Sequence, residues 1–181
     1  MLIEELSRQS CLELLCRKRL GRLACSREGQ PYLVPFYFAC DNNFIYSFST
    51  VGKKIEWMRA NPLVSVEADE VVSAQNWMSV VVLGRYEELP DTLEWSRERA
   101  AAFKLLRREA MWWEPAYAKT AIPRGVRSLE PVFYRIHIDE ITGRCATRER
   151  LPDTRLSTIQ LLRRWLAAKD VADGLNAKRR A

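Results

Sequence analysis

Residues 32–40 read Y-L-V-P-F-Y-F-A-C, a run that is apolar on both of its alternating faces. A strand of this kind belongs in a closed, covered barrel wall. Pro35 stands in its middle, and proline cannot donate to a hydrogen-bond ladder, so the strand should lie at an edge or break there. Around it the chain is punctuated as antiparallel sheet. Leu20 to Ser26 reads as a strand closed by a Glu28-Gly29 turn, and Asp41-Asn42-Asn43 reads as a hairpin turn into a strand over 44–49. Further strands are expected over 63–69, 77–88 and 131–138, with helices over 4–18, 53–60 and 91–110. The inward stripes would be Leu6, Leu12, Leu15 and Cys16 in the first helix, and Leu93, Ala100, Phe103, Leu106 and Ala110 in the third. Residues 111–125 read as an aromatic, proline-punctuated loop. The fold class is mainly β, an antiparallel barrel with helices packed outside.

The strand 44–49 leads into the most chemically suggestive segment. Ser49 and Thr50 end it, Gly52 follows, then Lys53 and Lys54 open a short helix that Asn61-Pro62 stops. A helix start has free backbone N–H groups, and here two hydroxyls and two ammonium groups join them. That is a phosphate-shaped site, although a solvated turn with two surface lysines satisfies the same pattern.

At 181 residues, 48% hydrophobic and 29% charged, the chain has the size and composition of one soluble domain. The net charge of +6 resides in residues 144–181, so the basic balance describes a tail and not the core. We therefore divide the chain into a barrel domain over 1–145 and a basic extension over 146–181. Residues 145–156 read as linker, and a helix is expected at 157–168 with Ile159, Leu162, Trp165 and Leu166 on one face. No export signal is expected, because Leu2-Ile3 run straight into Glu4-Glu5, and no apolar stretch is long enough for a membrane span. Five cysteines without a C-x-x-C pair argue for a reducing cytoplasm and against a disulfide framework or a structural zinc site.

Dinucleotide, Walker, nucleophile-elbow and zinc-protease motifs are absent from the sequence. The single histidine, His137, excludes a multi-histidine metal centre and reads first as a hydrogen-bonded strand residue. A chain so poor in acid–base groups would, as an enzyme, leave the reaction to a bound cofactor.

Five ordered pieces then resemble one family: L-G-R-L-A at 20–24, P-Y-L-V-P-F-Y at 31–37, F-S-T-V-G-K-K at 48–54 with N-P at 61–62, W-M-S-V-V-V-L-G-R at 77–85, and R-I-H-I-D-E-I-T-G-R at 135–144. Together, over residues 5–145, they resemble the pyridoxamine 5′-phosphate oxidase-like family, most closely the branch that includes nitroimidazole-resistance proteins. The resemblance implies a split β-barrel that binds FMN at a homodimer interface. By the same resemblance, Val34, Pro35, Phe36 and Tyr37 would pass beside the flavin ring, largely by backbone, with a strand break at Pro35. Phe48, Ser49 and Thr50 would line the ribityl chain and phosphate, Lys53 and Lys54 would hold the phosphate, and Trp77 and Ser79 would reach the pyrimidine edge. The segment R-C-A-T-R-E-R at 144–150 lacks the substrate-recognising residues of pyridoxamine phosphate oxidases. The implied activity is therefore an FMN-dependent oxidoreduction of a small electrophile, fed by a separate electron donor, and not the vitamin B6 reaction. Two alternatives stay open: a haem-binding barrel using His137, and a flavin carrier or sensor without turnover. Nucleic acid is not expected as a partner.

Overall fold

A computed structural model describes residues 1–107, 121–122, 125–126 and 131–147. The element order is β1 (Leu2–Glu5), α1 (Arg8–Arg17), β2 (Leu20–Arg27), β3 (Gln30–Tyr37), β4 (Ala39–Asp41), β5 (Phe44–Thr50), α2 (Lys53–Ala60), β6 (Leu63–Ser73), β7 (Asn76–Glu88), α3 (Ser96–Leu106), β8 (Ala121–Ile122), β9 (Gly125–Val126) and β10 (Pro131–Thr147). Eight strands form one antiparallel sheet in the order β3-β2-β6-β7-β10-β5-β4, with β1 added to β10. Among the described residues, β8 and β9 pair with each other and with no other strand.

The sheet closes through the 30–41 stretch. Its first half, β3, pairs with β2 at one end of the sheet, and its second half, β4, pairs with β5 at the other. The switch falls at Phe38, not at Pro35. Phe38 and Ala39 are both buried, so the alternation breaks there, and the Phe38 N–H donates to Arg19 O at 2.9 Å. Pro35 sits within unbroken β3 opposite Arg22, and β3 is an edge strand, as a proline requires. The expectation that both faces of this run are covered does not hold: Leu33 is 64% exposed.

The turn chemistry explains the hairpins. Glu28 and Gly29 both have positive φ (53° and 79°) between Arg27 and Gln30, the two-residue geometry that matches strand twist. Asn42 takes φ 53° in the next hairpin, a conformation asparagine tolerates. Inside the barrel, Leu23, Val66, Val80, Val82 and Ile136 interlock, and α1 plugs the wall with Cys11, Leu14 and Leu15. Gly84 permits the closest strand approach, since a Cβ there would lie 2.3 Å from the His137 carbonyl oxygen.

Several boundaries differ from the sequence expectation. Residues 2–5 are a strand, paired Leu2 to Thr147 through Glu5 to Arg144, and the helix begins after Ser7, whose hydroxyl accepts from the Ser10 N–H at 3.2 Å. The buried face of α1 is Cys11, Leu14 and Leu15, with Leu6 and Leu12 packed against it and Cys16 half-buried. β6 runs on to Ser73, and β10 continues past a register shift between Ile138 and Glu140 as far as Thr147, two residues beyond the expected domain boundary. α3 starts at Ser96 and buries Ala102 and Leu106, while Leu93, Ala100 and Phe103 are exposed. Arg99 joins the packed stripe, its guanidinium 4.8 Å from the Phe133 ring centre. Cys16 and Cys40 form a disulfide (Cα–Cα 4.6 Å), a single tie between α1 and β4 where free thiols were expected. Cys11, Cys25 and Cys145 are free and buried. Ala110, most of the 111–125 segment and the helix expected at 157–168 lie outside the described residues.

Candidate functional site: a cationic cleft and an outward sheet face

β5 delivers Ser49 and Thr50 to the rim of the barrel, Gly52 turns the chain, and α2 begins at once with Lys53 and Lys54. The edge strand β3 supplies the facing wall. Between them lies a cleft of about 380 Å³ lined by Tyr32, Val34, Pro35, Ser49, Thr50, Gly52, Lys53 and Lys54. A Cβ at Gly52 would meet nothing within 4 Å, so the backbone here borders open space. Among the described residues no side chain caps α2, so the N–H groups at its start have no capping acceptor there.

The two lysines, adjacent in sequence, sit in different surroundings. Lys53 folds over two rings, its ammonium 4.7 Å from the centre of Tyr32 and 4.6 Å from that of Trp57. Lys54 is half-buried where Lys53 is exposed, and burial pushes its pKa below the usual lysine value, with Cys25 a smaller opposing influence. Among the described residues, neither lysine forms an ion pair with a carboxylate, and Glu56 in the same turn pairs with neither. A partly desolvated, uncompensated ammonium is costly, and a small anion relieves the cost. Cys25, beneath the cleft, has its thiol pKa pushed up by burial despite the two lysines, so it is not a poised nucleophile.

The cleft thus gathers Val34, Pro35, Ser49, Thr50, Lys53 and Lys54 of the expected residues. The other five do not line it. Phe36 is buried in the core, stacked on Phe38 at 5.2 Å. Tyr37 packs against the cluster that holds Phe133, and Phe48 stacks on Phe133 at 5.3 Å. Trp77 and Ser79 are on β7, where Ser79 Oγ donates to Glu67 at 3.2 Å. Tyr32 and Trp57 were missed by sequence reasoning. The signal was present for Trp57, four residues after Lys53 on one helix face, whereas Tyr32 is brought in only by the pairing of β3.

The outward face of β2, β6 and β7 has a different character. Arg22 pairs with both Glu67 and Asp69, and Glu67 also accepts from Ser79. Around these satisfied charges Leu33, Leu63 and Val71 are 64%, 62% and 65% exposed, and Val81 and Leu83 also face out. In the 80–83 segment only the odd-numbered residues do so, because Val80 and Val82 are buried.

His137 is on β10, edge-on to Phe44 at 5.3 Å. One ring nitrogen lies 2.7 Å from Asp139 Oδ1 and the other 3.2 Å from Asn43 Nδ2, so both nitrogens are engaged within the chain. No helix of the described residues is long and apolar enough to cross a membrane.

An antiparallel barrel that closes through one broken strand and carries a cationic cleft at that strand's edge is a split β-barrel. The chain belongs to the pyridoxamine 5′-phosphate oxidase family, whose model matches residues 7–145. It is similar to an uncharacterised protein of Rhizobium meliloti (strain 1021), 42% identical over 81% of this chain and 97% of that one. Among solved structures it is similar to a FAD-binding protein from Mesorhizobium loti, with 44% identity, a TM-score of 0.68, and coverage of 82% of this chain and 99% of that one. A Bacteroides thetaiotaomicron structure provisionally described as a 5-nitroimidazole antibiotic resistance protein shares the fold alone, at 18% identity and a TM-score of 0.56 over 80% of this chain and 89% of that one.

Proposed function

We propose that this protein binds a flavin, FMN, and acts as a homodimeric flavin-dependent oxidoreductase on a small electrophile such as a nitro compound or a quinone. Lys54 carries the reading: a half-buried, partly desolvated ammonium without a carboxylate partner among the described residues, beside two hydroxyls and a helix start with no side-chain cap. That donor set suits a phosphate dianion. The FAD-binding relative from Mesorhizobium loti supports a flavin. FMN is favoured because the donors converge on one small cleft, which matches a single terminal phosphate.

In this reading Lys54 and Lys53 neutralise the phosphate, Ser49 and Thr50 donate to its oxygens, and Val34 and Pro35 present the open edge of β3 to the ring. The flavin would supply hydride and one-electron chemistry that the side chains cannot. The exposed leucines and valines of β3, β6 and β7 are the surface a second copy would cover. Trp77 and Ser79 stand on that face, so a dimer would carry them toward the partner's cleft. Reduced nicotinamide or another flavin would be the electron donor.

The test is reconstitution of the purified protein with FMN, FAD and riboflavin, followed by absorbance and by turnover with reduced nicotinamide and a panel of nitro compounds and quinones. We expect a bound-flavin spectrum, tighter binding of FMN than of riboflavin, and oxidation of the donor. Binding without turnover would make the protein a carrier or sensor. A lone Soret band would replace flavin by haem.

A further inference from the structure

The caged position of Lys53 goes beyond its role as one of two phosphate cations. An exposed lysine at an open helix start ordinarily samples many rotamers in water, and ordering it costs entropy. Here the ammonium lies over two rings at once, 4.7 Å from Tyr32 and 4.6 Å from Trp57, and the rings themselves meet at 5.5 Å with a 57° tilt. Both rings are anchored, because Tyr32 and Trp57 each pack against the main hydrophobic core. They come from different elements, β3 and α2, so the cage exists only in the closed fold.

A carboxylate could hold a lysine equally well, but it would cancel the charge the cleft needs. Aromatic faces attract the ammonium through their quadrupoles and leave its full charge available to an anion. Tyr32 lines the cleft beside Lys53, so the held charge stands at the mouth.

We propose that Tyr32 and Trp57 are positioning residues for anion binding: together they hold the Lys53 ammonium, uncancelled, at the mouth of the cleft. The proposal rests on the flavin-phosphate reading above and refines it. Lys54 supplies the more buried charge, and Lys53 supplies a pre-ordered, more exposed one.

Titration of FMN and of riboflavin into the full-length protein tests this, using the wild type, Lys53→Met, Tyr32→Leu, Trp57→Leu and the double variant Lys53→Met/Tyr32→Leu. Loss of a two-ring cation–π contact should lower FMN affinity by about three- to tenfold and leave riboflavin unchanged. In the Lys53→Met background Tyr32→Leu should add no further loss, because the ring acts through the lysine. Because Trp57 also packs on the core, Trp57→Phe is measured beside Trp57→Leu, and it should retain most of the FMN preference. Melting curves identify any variant that fails to fold, and Tyr32→Leu on the edge strand decides the matter alone if Trp57→Leu does so. Equal losses for FMN and riboflavin, or a full additional loss in the double variant, would overturn the cage. If wild-type protein binds flavin but does not prefer FMN over riboflavin, the phosphate site itself is wrong and both readings fall. If that preference exists and neither ring affects it, the cage alone falls.

Discussion

The cleft and the outward sheet face differ in how their charges are settled. On the sheet face Arg22 lies between Glu67 and Asp69, Ser79 completes the Glu67 shell, and what remains unsatisfied is apolar. In the cleft the surroundings are partly buried and what remains unsatisfied is charge, held on Lys54 and, above its aromatic cage, on Lys53. Surfaces left in these two states suit different ligands. Apolar area with settled charge is covered best by another protein surface, whereas unsettled charge in a small cleft is met best by a small anion.

The largest effect should come from a charge placed on the apolar face. Leu83→Glu should leave the monomer folded, because residue 83 is exposed. If the face is a two-fold interface, each copy then buries an uncompensated carboxylate, at about 3–5 kcal/mol for such a charge. Sedimentation should show dimer affinity reduced by more than about a hundredfold. A dimer that survives the substitution would place the interface elsewhere.

The cleft calls for the opposite experiment, removal of a charge. Lys54→Ala should weaken FMN by about 1.5–3 kcal/mol, with riboflavin little changed. The same charge should burden the ligand-free protein. Its folded pKa is depressed by burial, so the cost is fully present below that value and disappears as pH rises through the unfolded lysine value. At neutral pH, Lys54→Met should therefore raise ligand-free stability by about 0.5–2 kcal/mol, read from denaturant melts, while leaving only the smaller FMN preference that Lys53 supplies. Lower stability together with lost binding would make Lys54 a structural residue.

How much of this was legible depended on whether the signal was local. The strand over 44–50, the helix over 53–60 and the turns at 28–29 and 42–43 follow from alternation, Gly-Lys-Lys, Asn-Pro and turn residues, all of which act within a few positions. β1 is a strand only because the far end of β10 pairs with it, and that end follows a register shift that interrupts the alternation. The stripe of α3 was misread because Arg99 packs on Phe133, a role that a hydrophobicity pattern counts as polar. In the site, the hydroxyls and lysines were readable as one segment. The same reading treated Lys53 and Lys54 as equivalent, because what distinguishes them is Tyr32, delivered across the barrel by the edge strand.

The smallest effect comes from the other end of α2, where a cation is fully matched. Arg59 donates to both Glu88 carboxylate oxygens, at 2.8 and 2.7 Å, and the Tyr86 hydroxyl donates to the same carboxylate at 2.9 Å. The Arg59 hydrogen bonds, reinforced by Tyr86 against partial burial, hold the Glu88 carboxyl below the ordinary glutamate value. A depressed carboxylate contributes stability above its unfolded pKa and loses it as pH falls through the folded one. Glu88→Gln should therefore reduce stability at neutral pH and flatten the acid limb of the stability profile below about pH 4, near the ordinary glutamate pKa. The pair is partly exposed, so the effect should be at most about 1 kcal/mol. Melting temperatures of both proteins across the acid range measure it, and flavin affinity should not change. A change in FMN binding on Glu88→Gln would mean that the two ends of α2 are coupled, and the contrast between a matched and an unmatched cation on one helix would no longer separate structure from function.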